Sequence, residues 1–208
     1  YRPQPGGSIL NVAVGLGRLQ TPVGMFTKLS NDFFGQLLVR HLEKNNVNTG
    51  FLLRGDGPAT LAFVSFPQEG QSEPEYVFYA NQATDRSIEL SELPTELPPH
   101  IYALHFGSIS LLLEPGASSL EHLMRRESGR HIISLDPNIR PSLIPDHAAY
   151  RRRFKSWLNH VDLLRLSKAD LEWLYPQANP KDIITQWLED GRSLCFLTLG
   201  TQGAMGFT

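Results

Sequence analysis

Short apolar runs alternate along this chain with segments whose apolar residues recur at helical spacing. Runs of this kind are typical of strands in a sheet that is covered on both faces. Four of them predict strands: residues 101–106, 131–135, 161–166 and 194–199. After the first of these strands, residues 118–126 place their apolar side chains on one side of a predicted helix. The alternation predicts an α/β fold, a three-layer αβα domain with a mainly parallel sheet.

Another helix has a clear start and a clear end in the sequence. Asn179 is a good cap residue, Pro180 suits the first turn, and Asp182 places an acid early in the helix. Apolar positions then continue at helical spacing until Gly191, where we expect the helix to end.

One region departs from this alternation. Residues 60–66 and 75–80 resemble strands, and the polar segment between them is rich in turn-forming residues, so a β-hairpin or two neighbouring strands are predicted. Two interpretations stay open for this region, which covers residues 58–81: an antiparallel edge of the main sheet, or a small β lid that covers a site or pairs with a second subunit. Its many aromatic residues favour a homodimer through the lid, because exposed aromatic strands tend to pair.

The composition excludes several classes of protein. The 208 residues are 41% hydrophobic and 19% charged, with a formal net charge of −2, so we expect an ordinary globular domain and no nucleic-acid partner. No apolar stretch approaches the roughly 18 residues of a membrane-spanning helix, and we expect no membrane partner. The single cysteine, Cys195, lies in an apolar run that predicts a buried strand, and its isolation favours the reducing cytoplasm. The basic residues 151–153 are interpreted as a solvated helix face.

Paired glycines precede a helical pattern near the start of the chain. Gly6 and Gly7 are followed by Asn11 and then by several small residues. Paired glycines let a ligand approach the backbone closely, and the start of a helix suits oxygens or phosphate. Taken alone, a glycine before a helix is more often a simple turn. The glycine patterns of dinucleotide-binding and Walker-type phosphate loops do not occur in the sequence.

A polar motif follows the second of the four predicted strands, at the edge of the sheet where open α/β folds bind their ligands. Residues 136–140 read Asp-Pro-Asn-Ile-Arg. Asp136 and Asn138 offer oxygens, and Arg140 offers a fork of donors suited to phosphate or carboxylate. The structural alternative is a strand-ending turn in which Asp and Asn cap the backbone and Arg140 forms a salt bridge.

The next two predicted strands are also followed by polar motifs. Ser167 and Asp170 have the spacing of a capping box, in which the serine caps a helix and the carboxylate faces its first amides. Thr198 offers a hydroxyl, and Gly200 and Gly203 would let a loop pass close to a nucleotide. By itself this last motif is also compatible with a generic glycine turn.

Taken together and in this order, the motifs resemble those of the ribokinase-like, or PfkB-type, carbohydrate kinases, and within them the fructokinase-like branch. The resemblance covers nearly all of residues 1–208 and implies part of one ribokinase-like kinase domain. It implies a sugar kinase that uses ATP and Mg²⁺ to phosphorylate a hydroxyl of fructose, a related keto-sugar or a sugar acid. The site residues that it implies are Gly6, Gly7, Asn11, Asp136 and Asn138 for the substrate, Arg140 for catalysis, Ser167, Thr198, Gly200 and Gly203 for the nucleotide, and Asp170 for the metal.

The sequence also departs from the family pattern. Gln20 and Ser30 stand where glycines are expected, and Ala80 replaces a lid arginine that commonly reaches the sugar, which leaves the identity of the sugar open. The family's Gly-Ala-Gly-Asp motif, whose aspartate is the general base, does not occur, so we expect the catalytic segment beyond Thr208 and residues 1–208 alone to be inactive. The main alternative is a non-catalytic sugar- or nucleotide-binding protein on the same fold. A Rossmann oxidoreductase is disfavoured because its fingerprint does not occur.

Overall fold

A computed structural model describes residues 3–65, 75–191 and 193–208 of the chain. The chain divides into two compact units. The first consists of Tyr1–Glu89 with Glu114–Gly116, and the second consists of Leu90–Leu113 with Ala117–Thr208.

In its described residues, the first unit contains two α-helices, one parallel strand pair, one hairpin and a short 3-10 helix at Thr84–Arg86. Its elements are α1 (Ser8–Arg18), β1 (Thr27–Ser30), α2 (Phe33–Lys44), β2 (Leu52–Gly55), β3 (Leu61–Ser65) and β4 (Glu75–Tyr79). Strands β1 and β2 pair in parallel, whereas β3 and β4 form an antiparallel two-stranded sheet of their own. A core of apolar side chains from α1, β1, α2 and the loop after α2 holds the unit together: Leu10, Ala13, Val14, Leu29, Leu42 and Val47.

The second unit is built around a five-stranded sheet. Its elements are β5 (Ala103–Gly107), α3 (Gly116–Glu127, whose first residue belongs to the first unit), β6 (Ile132–Asp136), α4 (His147–Leu158), β7 (Leu163–Ser167), α5 (Lys168–Leu174), α6 (Pro180–Glu189), β8 (Leu194–Thr198) and β9 (Ala204–Phe207). The strands lie in the order β5-β6-β7-β8-β9, and all neighbours are parallel except the antiparallel pair β8–β9. This confirms the predicted α/β class with a mainly parallel sheet.

The two faces of this sheet differ in character. Since consecutive parallel strands are neighbours here and such crossovers are right-handed, the connecting helices lie on one face. The strand residues on that face are almost completely buried: Ile133, Leu135, Leu164, Leu166, Cys195 and Leu197. Side chains alternate along a strand, so the residues between them point to the opposite face, where several are polar.

Most of the predicted elements are confirmed, with shifts of one or two residues at their ends. The predicted strand at 101–106 is β5 and begins at Ala103, and the helix predicted after Asn179 is α6, with the Asn179 side chain accepting a hydrogen bond from the N–H of Lys181 at 3.0 Å. Cys195 is fully buried, as predicted. The hairpin prediction is also confirmed, but in the described part of the chain β3 and β4 form a two-stranded sheet of their own, so the interpretation as an edge of the main sheet is wrong. Residues 66–74, which include the predicted join, lie outside the described residues.

The basic residues 151–153 are only partly a solvated face. Arg152 is exposed on α4, but the guanidinium of Arg151 lies 4.3 Å from the centre of the Tyr175 ring, and Arg153 pairs with Glu121. The prediction fails for these two arginines because their partners come from other segments of the chain. None of the helices in the described residues combines the length and the apolar character that crossing a membrane requires.

Candidate functional site

One arginine connects two of the predicted site loops in the second unit. Arg165 lies on β7, between β6 and β8, and points to the sheet face opposite the helices. Its Nη1 donates to Oδ2 of Asp136 at 2.7 Å, and its Nη2 donates to the hydroxyl of Thr198 at 3.0 Å. Asp136 ends β6 and Thr198 ends β8, so the structure brings the predicted acceptor loop and the predicted nucleotide loop to one edge of the sheet.

The loop after β6 is held by its own side chains. Oδ1 of Asp136 accepts from the N–H of Asn138 at 3.1 Å, and Asn138 has a φ of 38°, in a region that asparagine tolerates better than most residues. Nη1 of Arg140 donates to Oδ1 of Asn138 at 2.6 Å and to the carbonyl of Ile139 at 3.0 Å. Asp136 therefore caps this turn as predicted, whereas the Asn138 side chain accepts from the Arg140 guanidinium, which lies against the loop.

Ser167 and Asp170 form the predicted capping box at the start of α5. The Ser167 hydroxyl accepts from the N–H of Asp170 at 3.0 Å, while Oδ2 of Asp170 accepts from the N–H of Ser167 at 3.0 Å. The other oxygen, Oδ1, accepts from the N–H of Ile139 at 2.9 Å. Asp170 is buried, and both of its oxygens serve as hydrogen-bond acceptors for the backbone of the chain. The carboxylate thus joins the helix start to the loop after β6.

The loop after β8 leaves open space beside its glycines. Gly200 has a φ of 61° and Gly203 a φ of 92°, values that side-chain-bearing residues rarely adopt. The N–H of Leu199 donates to the carbonyl of Gly203 at 2.8 Å and closes the loop. Apart from the adjacent residues, no heavy atom of the described residues lies within 4 Å of a Cβ placed at either glycine. A ligand can therefore reach this backbone from the outside.

Burial shifts the pKa values of two titratable groups in this sheet, Asp136 and His105. Burial raises the pKa of Asp136, and the nearby Asp170 carboxylate adds to the increase, although Arg165 and the N–H of Asn138 oppose it. Burial also lowers the pKa of His105 on β5, and the charge of Arg165 lowers it further. Nδ1 of His105 lies 3.0 Å from the Ser134 hydroxyl, and its Nε2 is buried without a hydrogen-bond partner among the described residues.

No motif in the sequence indicated a functional role for His105, Ser134 or Arg165. Each is a polar residue in a strand that is otherwise mostly apolar, and the three point to the same sheet face. Strand alternation could have identified this face, because polar residues recur there at the positions between the buried ones. The pairing of strands, which decides that they lie side by side, is not visible in the sequence.

In the first unit, the predicted sugar-binding residues surround the start of α1. Gly7 is the N-cap, with a φ of 127° and no side chain to cap the first amides, and the N–H of Asn11 donates to its carbonyl at 2.8 Å. Gly6, Gly7 and Asn11 are all exposed. The predicted helix start is confirmed, and its first amides have no side-chain cap.

A second cluster of polar groups lies at the end of β1. Oδ1 of Asp32 accepts from the Ser30 hydroxyl at 2.6 Å and from the N–H of Gly35 at 2.9 Å, so Asp32 caps α2. Burial alone would raise the pKa of Asp32, but hydrogen bonds from Ser30, Gly35 and the N–H of Ala59 outweigh it and hold the pKa below its usual value. Asp32 therefore favours its charged form and fixes the loop between β1 and α2.

The described residues contain no group of three or more His, Cys, Asp or Glu side chains that could hold a metal ion. Both carboxylate oxygens of Asp170, the residue implied for the metal, already accept hydrogen bonds from the protein. A divalent cation in this region would therefore take most of its ligands from something other than the described carboxylates.

A sequence model described as pfkB family carbohydrate kinase matches residues 1–208. The chain is 36% identical over 208 residues to a fructokinase of Rhizobium leguminosarum bv. trifolii, covering 100% of this chain and 63% of that protein. It is 33% identical over 204 residues to fructokinase-1 of Oryza sativa subsp. japonica, covering 96% of this chain and 62% of that protein. The crystal structure of a fructokinase with bound ATP from Xylella fastidiosa matches with a TM-score of 0.86 and 26% identity, covering 100% of this chain and 69% of that one. The chain thus spans less than two thirds of the length of these two curated relatives.

Proposed function

The chain belongs to the pfkB family of carbohydrate kinases, and from this membership we propose that the full-length protein transfers the γ-phosphoryl group of ATP to a hydroxyl of a small sugar. The observation that carries this proposal is the arginine shared by two loops. Arg165 binds Asp136 of the acceptor loop at 2.7 Å and Thr198 of the nucleotide loop at 3.0 Å. A phosphoryl transfer site needs its acceptor and donor loops at one edge, because positioning and charge stabilisation supply most of the catalysis.

The proposed sugar contacts are the exposed groups at the start of α1. The amides there are uncapped, and the Asn11 side chain offers one carbonyl and one NH₂ group, which suit the mixed donor and acceptor character of sugar hydroxyls. Gly6 and Gly7 add no side chain that would keep a sugar from the backbone. We propose fructose or a related keto-sugar or sugar acid as the substrate, since the named relatives are fructokinases.

The proposed nucleotide contacts come from the loop after β8. Gly200 and Gly203 expose their backbone, and Thr198 stands at the base of the loop. Ser167 is committed to the capping box, so its contribution to nucleotide binding is to hold the start of α5 in position. The ATP-bound fructokinase of similar structure supports ATP as the donor.

Mg²⁺ is proposed to accompany the nucleotide, where it would neutralise phosphate charge. The described residues fit a magnesium ion that is held mainly by phosphate oxygens and water, which is the usual arrangement for this ion. Asp170 would contact such an ion only through water, because both of its oxygens already accept hydrogen bonds. No dedicated protein cage is needed for this role.

The acceptor loop supplies charge and orientation at the reacting end. Arg140 offers a guanidinium whose acceptors here include the neutral Asn138 side chain and the carbonyl of Ile139. A phosphate group attracts a guanidinium more strongly than neutral oxygens do, so we propose that Arg140 turns towards the transferring phosphoryl group. Asp136 and Asn138 then orient the acceptor side, and the general base is proposed to belong to a Gly-Ala-Gly-Asp segment of the full-length protein.

The direct test is ADP release by the full-length protein with ATP, Mg²⁺ and a panel of hexoses, pentoses and sugar acids. We expect turnover with a keto-sugar. Binding of sugar and ATP in titration calorimetry without any turnover would instead identify a non-catalytic binding protein. Absence of both binding and turnover would reject the proposed function.

We further propose a cytoplasmic homodimer formed through the hairpin β3–β4. Phe63 and Tyr79 contact each other edge to face, with ring centroids 5.5 Å apart, and both remain exposed. Val77 on the same face of the hairpin is 54% exposed. A pair of strands with this much exposed apolar surface is a typical surface for association with a second copy.

A further inference from the structure

The guanidinium of Arg165 lies in the middle of a series of hydrogen bonds that are joined to one another through Asn138 and through the peptide bond between Thr198 and Leu199. On one side it holds Asp136, which accepts from the N–H of Asn138. Asn138 in turn accepts from Arg140 at 2.6 Å. On the other side Arg165 holds Thr198, the last residue of β8, and Leu199 after it closes the glycine loop through its hydrogen bond to Gly203. The series therefore runs from Arg140 to the glycine loop.

The geometry of this arginine differs from that of a simple ion pair. A guanidinium is planar and donates in fixed directions, so two acceptors on its two Nη atoms are held in a fixed relation to each other. The Asp136 side chain is 9% exposed and the Arg165 side chain 38%, so the arginine reaches a buried carboxylate from a position that solvent or a ligand can enter. A lysine could not hold both acceptors in one plane, because its ammonium is a single compact centre.

The burial of Asp136 acts against its charged form in this pair. The pKa of Asp136 is raised even though Arg165 is present, because burial outweighs the ion pair. A buried charge pair of this kind is weak support for stability and is often retained for another reason. The second contact of Arg165 is with the neutral hydroxyl of Thr198. This side-chain hydrogen bond joins β7 to the end of β8 in addition to the backbone hydrogen bonds between the two strands.

We propose that Arg165 is a positioning residue that couples nucleotide binding to the acceptor loop, so that sugar and nucleotide each bind more tightly in the presence of the other. The inference rests on the proposed function and adds a residue that no family motif used above includes. A nucleotide on the glycine loop fixes Thr198, Arg165 then fixes Asp136, and Asp136 fixes the loop that carries Arg140. The second ligand finds this network already ordered, and by linkage the effect is the same in either direction.

The test measures this coupling in the full-length protein. Titration calorimetry gives the dissociation constant of a non-hydrolysable ATP analogue with and without the sugar that the wild type phosphorylates, and steady-state assays give kcat and KM. For the wild type we expect the sugar to tighten the analogue by about fivefold or more. For Arg165→Lys we expect this ratio to fall to about one and kcat to fall by about tenfold, since one charge-assisted contact is lost. In the absence of sugar, the dissociation constant of the analogue should stay within about threefold of the wild-type value. A variant in which the nucleotide site was merely weakened would bind the analogue less tightly under the same condition.

Further variants keep the test decisive if Arg165→Lys folds poorly. Thr198→Val removes only the hydroxyl and leaves the Asp136–Arg165 pair, whereas Thr198→Ser keeps the hydroxyl and should restore the coupling ratio. Arg152→Met removes an exposed arginine on α4 and is the matched control, with the wild-type ratio expected. Coupling that persists in both Arg165→Lys and Thr198→Val, or a ratio of one in an active wild type, overturns the inference and leaves the kinase proposal standing. A wild type that binds and phosphorylates no sugar rejects the kinase proposal, and the inference with it.

Discussion

The Oδ1 atom of Asp170 accepts a hydrogen bond from the backbone N–H of Ile139 at 2.9 Å and so joins the start of α5 to the loop after β6. The same carboxylate completes the capping box with Ser167. A residue that the family resemblance implies for the metal is therefore a central structural acceptor of the second unit. Its two proposed roles, cap and water-mediated metal contact, predict different results on substitution.

We predict that Asp170→Ala lowers the free energy of unfolding of the full-length protein by about 3 kcal/mol, because a helix cap and the acceptor of a buried N–H are lost together. Asp170→Asn keeps one acceptor oxygen and should lose about half as much. Urea denaturation measures both. Glu172→Ala is the control, since Glu172 is exposed, pairs with the exposed Lys168 at 3.6 Å and should change stability by less than about 0.5 kcal/mol. A loss for Asp170→Ala no larger than that of the control would contradict the structural role.

We predict that Asp136→Asn reduces activity but does not destabilise the fold at neutral pH. The pKa of Asp136 is raised above 3.8, so the folded state holds the proton more tightly than the unfolded state does, and the stability that this proton contributes is lost as the pH rises through the folded pKa. An amide resembles the protonated form and carries no such dependence. Thermal melts between pH 4 and 7 should therefore show that the melting temperature of the variant rises relative to that of the wild type as the pH increases. A shift in the opposite direction would show that the ion pair with Arg165 outweighs burial.

We predict that His105 makes the stability of the fold decrease as the pH falls below neutrality. Its pKa is lowered below 6.5 by burial and then by Arg165, so the unfolded state takes up the proton first as the pH falls. The stability that the neutral imidazole contributes is complete above pH 6.5 and is lost as the pH falls through the folded pKa. His105→Asn should remove this part of the pH dependence in urea denaturation, whereas His100→Asn, at an exposed position, should retain it. Equal profiles for wild type and His105→Asn would reject the assignment.

We predict that Gly203→Ala weakens nucleotide binding and also lowers stability. A Cβ at Gly203 meets no atom within 4 Å outside the adjacent residues, so the strain comes from the backbone angles, φ 92° and ψ −142°, a combination almost restricted to glycine, and should amount to about 2 kcal/mol. The added methyl group would nevertheless lie on the surface proposed for the nucleotide. Gly15→Ala is the matched control: Gly15 lies inside α1 with equally open space, and alanine there should raise stability by about 1 kcal/mol without changing ATP affinity. Unchanged ATP affinity in Gly203→Ala would remove this loop from the nucleotide site.

The sequence predicted the parts of the site that depend on local chemistry. The cap at Ser167, the turn at Asp136 and the glycine loop after Thr198 are each decided by a few adjacent residues, and the structure contains all three of these local features. The role of Arg165 could not be predicted in the same way. Its partners lie 29 and 33 positions away in the chain, on the two strands that flank β7, and only the strand order brings them together.

Arg140 and Arg165 show the same limit to what can be predicted from the sequence. Arg140 was singled out because it belongs to a recognisable motif, yet its hydrogen bonds to Asn138 and Ile139 stay within its own loop. Arg165 belongs to no such motif and makes the contacts that join two loops. A polar residue at an alternate position of an apolar strand is the only local signal that identifies it, and that signal does not specify its partners.

The hairpin β3–β4 is predicted to carry the dimer contact. Val77→Lys places a charge beside Phe63 and Tyr79 on the exposed face of the hairpin, and burial of that charge against a second copy would be unfavourable. Sedimentation at micromolar concentration should show a dimer for the wild type and a monomer for the variant, with a dissociation constant raised by about a hundredfold or more. Leu19→Lys changes an apolar residue that is 76% exposed at the end of α1 and should leave the dimer intact. A monomeric wild type, or a dimer that tolerates Val77→Lys, would show that this surface is not the interface.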